Sequence, residues 1–122
     1  MKKITLIEDN EDNRILVGAI LDTRYEINAF ESGLDALEDL KVNVPDLVLL
    51  DISLPEMDGV QVLSRIRSEA NLKHLPVIAL TAHAMVGDRE KYLAKGFNDY
   101  VTKPITDESL LLAAIQRCLG AS

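Results

Sequence analysis

The sequence predicts an α/β fold built on a central parallel sheet. Short apolar runs alternate with segments of helical periodicity about five times along the chain. The middle runs are near-continuously apolar, as strands covered on both faces must be, and most of the runs stop abruptly at a polar residue. Strict alternation of this kind implies a parallel sheet joined by right-handed helical crossovers.

The elements follow in order. Ile4 to Ile7 is short and apolar and meets charge at Glu8 and Asp9, which predicts a buried strand. Asn10 is a helix cap, with Glu11, Asp12 and Asn13 in a first turn that favours acids, and Ile15, Leu16, Ala19 and Ile20 form the expected apolar face. Tyr25 to Phe30 is a second strand. Ser32, with Asp35 three residues on, caps a second helix carrying Leu34, Leu37 and Leu40, and Pro45 is expected to end it. Leu47 to Leu50 is the third strand, stopping at Asp51. A turn with Pro55 and Gly59 leads to a helix carrying Val60, Leu63 and Ile66, and Pro76 opens the strand Val77 to Leu80, closed by Thr81. A weaker helix is expected from Ala84 to Lys95 with Gly96 as its stop, then a fifth strand from Asp99 to Thr102. Thr106 is the expected cap of a last helix whose apolar positions are Leu110, Leu111, Ala114, Ile115 and Cys118, ending at Gly120.

The 122 residues read as one domain, residues 1–122, with no output domain. A chain of this size is expected to expose roughly 6,500 Å² of about 19,600 Å² when folded, enough burial for a core without staples. No apolar run approaches a membrane span, and the stretch after Lys2 and Lys3 meets acid before an export signal could form, so membrane insertion is not expected and a cytoplasmic location is. One cysteine excludes an intrachain disulfide and a cysteine-rich zinc site. With 20 acidic against 13 basic residues, a net charge of −7 repels phosphate backbones, which argues against direct nucleic-acid binding.

In a parallel α/β sheet the ligand site lies outside the carboxyl ends of the strands. Those ends carry Glu8 and Asp9, Asp51, Thr81 and Lys103. Three carboxylates, a hydroxyl and an ammonium would therefore share one crevice. At about 5 Å and an effective dielectric near 20, each like-charged pair costs roughly 3 kcal/mol. Lys103 offsets part of that, and a bound cation or a raised pKa must supply the rest. An all-oxygen site without histidine or thiolate suits a hard ion, and Mg2+ better than zinc. A metal with open positions beside a lysine and a threonine can hold a phosphoryl group, and one carboxylate can be the nucleophile.

These residues lie in segments that resemble the receiver domains of two-component response regulators over essentially the whole chain. The segments are LIEDN (6–10), LLDISLPEMDG (49–59), ALTAHA (79–84) and DYVTKPI (99–105), in the family's order and spacing. The resemblance implies a flavodoxin-like, doubly wound sheet of five parallel strands in order 2-1-3-4-5 with five helices. It also implies that Asp51 accepts a phosphoryl group from a phosphohistidine. Asp9, Asp51 and the backbone carbonyl of Ser53 would be direct Mg2+ ligands, with Glu8 acting through water. Lys103 would bridge to phosphoryl oxygens, Thr81 would donate its hydroxyl to them, and Tyr100 matches the aromatic that changes rotamer on phosphorylation. The Lys103–Pro104 bond is cis in the family. Glu8 stands where aspartate is commoner, a change that alters the water shell, and Ser53, Ala82 and His83 occupy variable positions that tune phosphoryl lifetime. The implied partners are a histidine kinase or histidine phosphotransfer protein as donor, and a downstream protein target.

Other readings compete. A Mg2+-dependent phosphohydrolase working through an aspartyl phosphate resembles the haloacid dehalogenases, but those place a general-acid aspartate two residues after the nucleophile, where this chain has Ser53. A nucleotide carrier needs a Gly/Ser/Thr-rich loop after the first strand, and EDNEDN would repel the anion. A non-phosphorylated, receiver-like adaptor has no need of all five polar side chains. His83 reads as a loop histidine, Cys118 and Met85 as packing residues, and Asn13 and Arg14 as either solvent-facing or donor-contacting.

Overall fold

A computed structural model describes residues 1–54, 57–82, 88–105 and 107–120. Strand and helix alternate five times: β1 (Lys3–Ile7), α1 (Glu11–Leu21), β2 (Glu26–Phe30), α2 (Gly33–Leu40), β3 (Leu47–Asp51), α3 (Gly59–Ser68), β4 (Val77–Thr81), α4 (Asp88–Lys95), β5 (Asp99–Thr102) and α5 (Glu108–Leu119). All neighbouring strands pair in parallel, in the order β2-β1-β3-β4-β5. The fold class and strand order are those expected, and 6729 Å² of surface is close to the size-based figure.

Alternation of side chains along the strands divides the core in two. Ile7, Val48, Leu50, Val77 and Ala79 face one side, where α2, α3 and α4 cover them through Leu40, Leu63, Ile66 and Tyr92. Ile4, Leu6, Leu47, Leu49, Ile78, Leu80 and Val101 face the other, against Val17, Leu21, Leu111 and Ile115 of α1 and α5. Every residue of β3 and β4 is buried, which is why their sequences are nearly unbroken apolar runs, whereas edge strand β2 leaves three of its five residues exposed. Each fully buried Leu or Ile contributes about 1.5–3 kcal/mol from removal of apolar surface from water.

The caps agree with the sequence at two helices. Asn10 accepts from the Asn13 N–H at 3.0 Å, and Ser32 from the Asp35 N–H at 3.2 Å. At α5 the cap is Asp107, which accepts from the Ser109 N–H at 3.0 Å, while the expected cap Thr106 lies outside the described residues. So do Pro55, His83, Ala84 and Met85.

Three expectations are corrected. On α1, Ile15 is 62% exposed and Leu16 and Ala19 face solvent; the buried residues are Val17 and Leu21, so the helix is turned by roughly one position from the face expected. Four apolar residues offered two overlapping stripes, and only packing chose between them. Helix α2 ends at Leu40, well before Pro45, because the Val42 and Asn43 N–H groups both bond back to the Asp39 carbonyl and close the chain into a turn. Tyr25 precedes β2 rather than opening it, since its N–H still bonds to Leu21 O of α1 at 2.9 Å.

Two glycines shape loops at opposite ends of the sheet. A Cβ on Gly59 would lie 2.6 Å from the Asp51 carbonyl oxygen, so only glycine lets the start of α3 close over the end of β3, where the Gly59 N–H donates to Ile52 O at 3.0 Å. Gly96 has φ 111°, the left-handed conformation that turns the chain from α4 toward β5. Arg67 of α3 ties this region together from below, donating to the carbonyls of Lys73, Leu75 and Gly96 and to Asn98 Oδ1 at 2.6–3.2 Å.

Candidate functional site

Backbone bonds carry the strand ladders just past the strand ends and fix where each polar side chain starts. The Glu8 N–H donates to Phe30 O at 3.0 Å, Ile52 N–H to Leu80 O at 3.0 Å, and Lys103 N–H to Thr81 O at 2.7 Å. The Lys103–Pro104 bond is cis, as expected. Glu8 continues the parity of Ile4 and Leu6, Asp51 that of Leu47 and Leu49, and Lys103 that of Val101. All three therefore leave the strands toward the same side. Thr81 continues the parity of Val77 and Ala79 and leaves toward the side of α4.

Glu8, Asp9 and Asp51 each bring a carboxylate oxygen within 4.8 Å of the other two. Lys103 Nζ lies 3.1 Å from Asp51 Oδ1 and 3.2 Å from Glu8 Oε1. Glu8 and Asp51 are buried and Asp9 is exposed, so the cluster opens to solvent at Asp9. Ser53 enters through its backbone N–H, which donates to Asp51 Oδ1 at 3.0 Å.

Charge is shared unevenly in this cluster. Burial, then a hydrogen bond to Asp51 and repulsion from its carboxylate, pushes Glu8 up from 4.5 to about 7. Burial also pushes Asp51 upward, but hydrogen bonds from Glu8, the Ser53 N–H and Lys103 outweigh it and hold its carboxyl below the usual value. In Lys103 burial favours the neutral amine, yet the two acids prevail and the ammonium is held more firmly than usual. In the metal-free site burial and mutual repulsion thus favour a proton on Glu8, while the donors around Asp51 favour its charged form. The donor set is carboxylate oxygen alone, open on one side, and it fits a hard divalent cation, which can replace the Glu8 proton.

Three further residues shape the site, of which Tyr92 alone carried no reading in the sequence. Arg14 of α1 folds back so that its Nη1 donates to the carbonyls of Glu8 and Asp9 at 2.9 and 3.0 Å, which pins the acidic loop. Tyr92 of α4 is 7% exposed, and its phenol lies 3.0 Å from Thr81 Oγ1. Gly59 permits the close approach described above. Tyr92 is the one aromatic residue on α4, and Thr81 shares a strand face with the residues α4 covers, so parity could have paired them. Tyr100 is not in the cluster: it sits half-buried on the α4 side, its ring centroid 5.9 Å from that of Tyr92. No helix among the described residues is long and apolar enough to cross a membrane.

Comparison with known proteins places this geometry. The family profile of the response regulator receiver domain matches residues 4–116. The chain is 41% identical over 106 residues to the polar-differentiation response regulator DivK of Brucella ovis, covering 86% of each chain. It is 40% identical over 108 residues to the signal transduction histidine-protein kinase BarA of Shigella flexneri, covering 88% of this chain and 12% of that one. Among solved structures, the receiver domain of sensor histidine kinase PA1611 from Pseudomonas aeruginosa, with a magnesium ion in its active-site cleft, superposes with a TM-score of 0.87 at 36% identity, covering 98% of each chain. Chemotaxis protein CheY4 of Vibrio cholerae superposes with a TM-score of 0.89 at 26% identity, over 98% of this chain and 99% of that one.

Proposed function

Since the chain belongs to the response regulator receiver domain family of two-component signalling, we propose that Asp51 is its phosphoacceptor, taking a phosphoryl group from a phosphohistidine of a histidine kinase or histidine phosphotransfer protein. The observation that carries this reading is geometric: Asp51 is buried at the end of β3, with Lys103 Nζ 3.1 Å from its Oδ1, the Ser53 N–H donating to the same oxygen, and carboxylate oxygens of Glu8 and Asp9 within 4.8 Å.

Asp9, Asp51 and the Ser53 carbonyl would hold Mg2+, with Glu8 acting through water; the all-oxygen donor set and the magnesium-bound receiver of PA1611 support that choice. The ion supplies charge neutralisation for the phosphoryl oxygens. An Asp51 carboxylate oxygen attacks phosphorus in line, forming a P–O bond as the P–N bond breaks and its electron pair returns to the imidazole. Lys103 gives its ammonium to the equatorial oxygens where charge grows. Thr81 donates its hydroxyl to the acyl phosphate. The chain acts only on itself, gaining the group and slowly losing it to water.

The output is a change in protein contacts. Thr81, Tyr92 and Tyr100 form a continuous path from the site to the face of α4 and β5. A groove of about 400 Å³ lined by Tyr100, Lys103, Ile105, Leu110 and Arg117 lies between β5 and α5, adjoining that face at Tyr100, where a target would meet the change. Labelling with acetyl phosphate and Mg2+ tests the reading: the wild-type chain takes up one phosphoryl group and Asp51→Asn takes up none. Label on the Asn variant would overturn Asp51 as the acceptor.

A further inference from the structure

The phenol of Tyr92 competes for the hydroxyl on which the acyl phosphate would depend. Thr81 Oγ1 and Tyr92 Oη are 3.0 Å apart, and both residues are buried. The Thr81 backbone is fixed, because its carbonyl accepts the Lys103 N–H at 2.7 Å. Only the side chain can turn. A β-branched side chain turns by exchanging staggered wells roughly 120° apart, so a hydroxyl that swings toward Asp51 changes places with another substituent and leaves Tyr92. Tyr92 cannot follow freely. Its ring is held edge-on by Phe97, with centroids 6.0 Å apart and planes at 88°, and against Tyr100 at 5.9 Å.

We infer that Tyr92 is a positioning residue that holds the Thr81 hydroxyl toward α4 in the resting protein and so opposes phosphoryl retention. The inference rests on the phosphoacceptor reading above. Its consequence has a definite sign. Removing the phenolic oxygen while keeping the ring takes one neutral hydrogen bond from the resting state alone, so a phosphoryl analogue should bind roughly two- to tenfold more tightly.

The test is calorimetric titration of the full chain with beryllofluoride, as a phosphoryl analogue, in saturating Mg2+. Tyr92→Phe is expected to bind roughly two- to tenfold more tightly than wild type, with Mg2+ affinity alone unchanged, which also shows that the variant is folded. In a Thr81→Val background the same change should have no effect; in Thr81→Ser, which keeps the hydroxyl, the gain should return. Equal or weaker binding by Tyr92→Phe, or the same gain without the Thr81 hydroxyl, overturns the role of Tyr92 while leaving the phosphoacceptor reading intact. A wild-type chain that binds Mg2+ but no beryllofluoride overturns both.

Discussion

Lys103 reaches Asp51 from the far side of an intervening strand: β4 lies between β3 and β5, yet Nζ stands 3.1 Å from Asp51 Oδ1. The contact is made above the end of β4, where the ladder stops and a long side chain can cross. The same ammonium lies 3.2 Å from Glu8 Oε1, so one cation holds two carboxylates that would otherwise repel.

Replacing Lys103 by Met should therefore cost stability as well as chemistry. The loss of charge-assisted hydrogen bonds to two buried acids is expected to lower the metal-free unfolding free energy by about 2 kcal/mol. Urea titration with and without Mg2+ checks this: the ion should recover part of the loss, while acetyl phosphate labelling falls by at least about tenfold. Unchanged labelling would remove Lys103 from the chemistry.

Glu8 gives the site a pH dependence of predictable sign. Its pKa in the folded chain, about 7, exceeds its ordinary 4.5, through burial first and Asp51 second. The protonated carboxyl therefore contributes stability that is complete below the ordinary value and is lost as pH rises through about 7. Mg2+ requires that proton to leave, so its affinity should climb over the same interval, by up to about tenfold per pH unit below the folded pKa. Calorimetry between about pH 5.5 and 8 measures the slope, which Glu8→Gln should flatten; a slope that survives in Glu8→Gln would assign the titration elsewhere.

Gly59→Ala should act on the site from outside it. The added Cβ would meet the Asp51 carbonyl oxygen at 2.6 Å and Ile52 Cα at 2.8 Å, both backbone, so the loop after β3 must move. Overpacking of this kind costs about 1–3 kcal/mol. Because that loop carries the Ser53 N–H that donates to Asp51, Mg2+ affinity should fall together with the melting temperature. A variant that loses stability but binds Mg2+ normally would show the loop to be uncoupled from the site.

Arg67→Ala is the converse case. It removes donors from three backbone carbonyls and Asn98 Oδ1, and should cost about 2–3 kcal/mol in urea unfolding. All of these contacts lie at the opposite ends of the strands from Asp51, so the labelling rate should stay within about twofold of wild type. A large fall in labelling would reveal coupling along α3 that no contact described above provides.

The legible part of this protein was whatever depends on local pattern. Buried strands such as β3 and β4 announce themselves as apolar runs, and a strand must end where Asp51 or Thr81 introduces polarity. Parallel alternation then sends those ends to one edge, so the sequence pattern alone gathers Glu8, Asp9, Asp51 and Lys103. What the pattern left open was every choice between locally equivalent options. Helix α1 had enough apolar residues for two faces, and burial went to Val17 and Leu21 rather than Ile15 and Leu16. The α2 helix had a proline to stop it and stopped earlier, on its own Asp39 carbonyl.

The amino-acid order alone fixed the elements, their alternation and the polar residues at the strand ends, because each depends on neighbours a few residues away. The tertiary structure alone decided that Glu8 would be buried against Asp51 and Lys103, that Arg14 would pin the acidic loop, and that the Thr81 hydroxyl would meet Tyr92. Those outcomes depend on burial and on distances across the sheet, set by how separate elements pack rather than by any one of them.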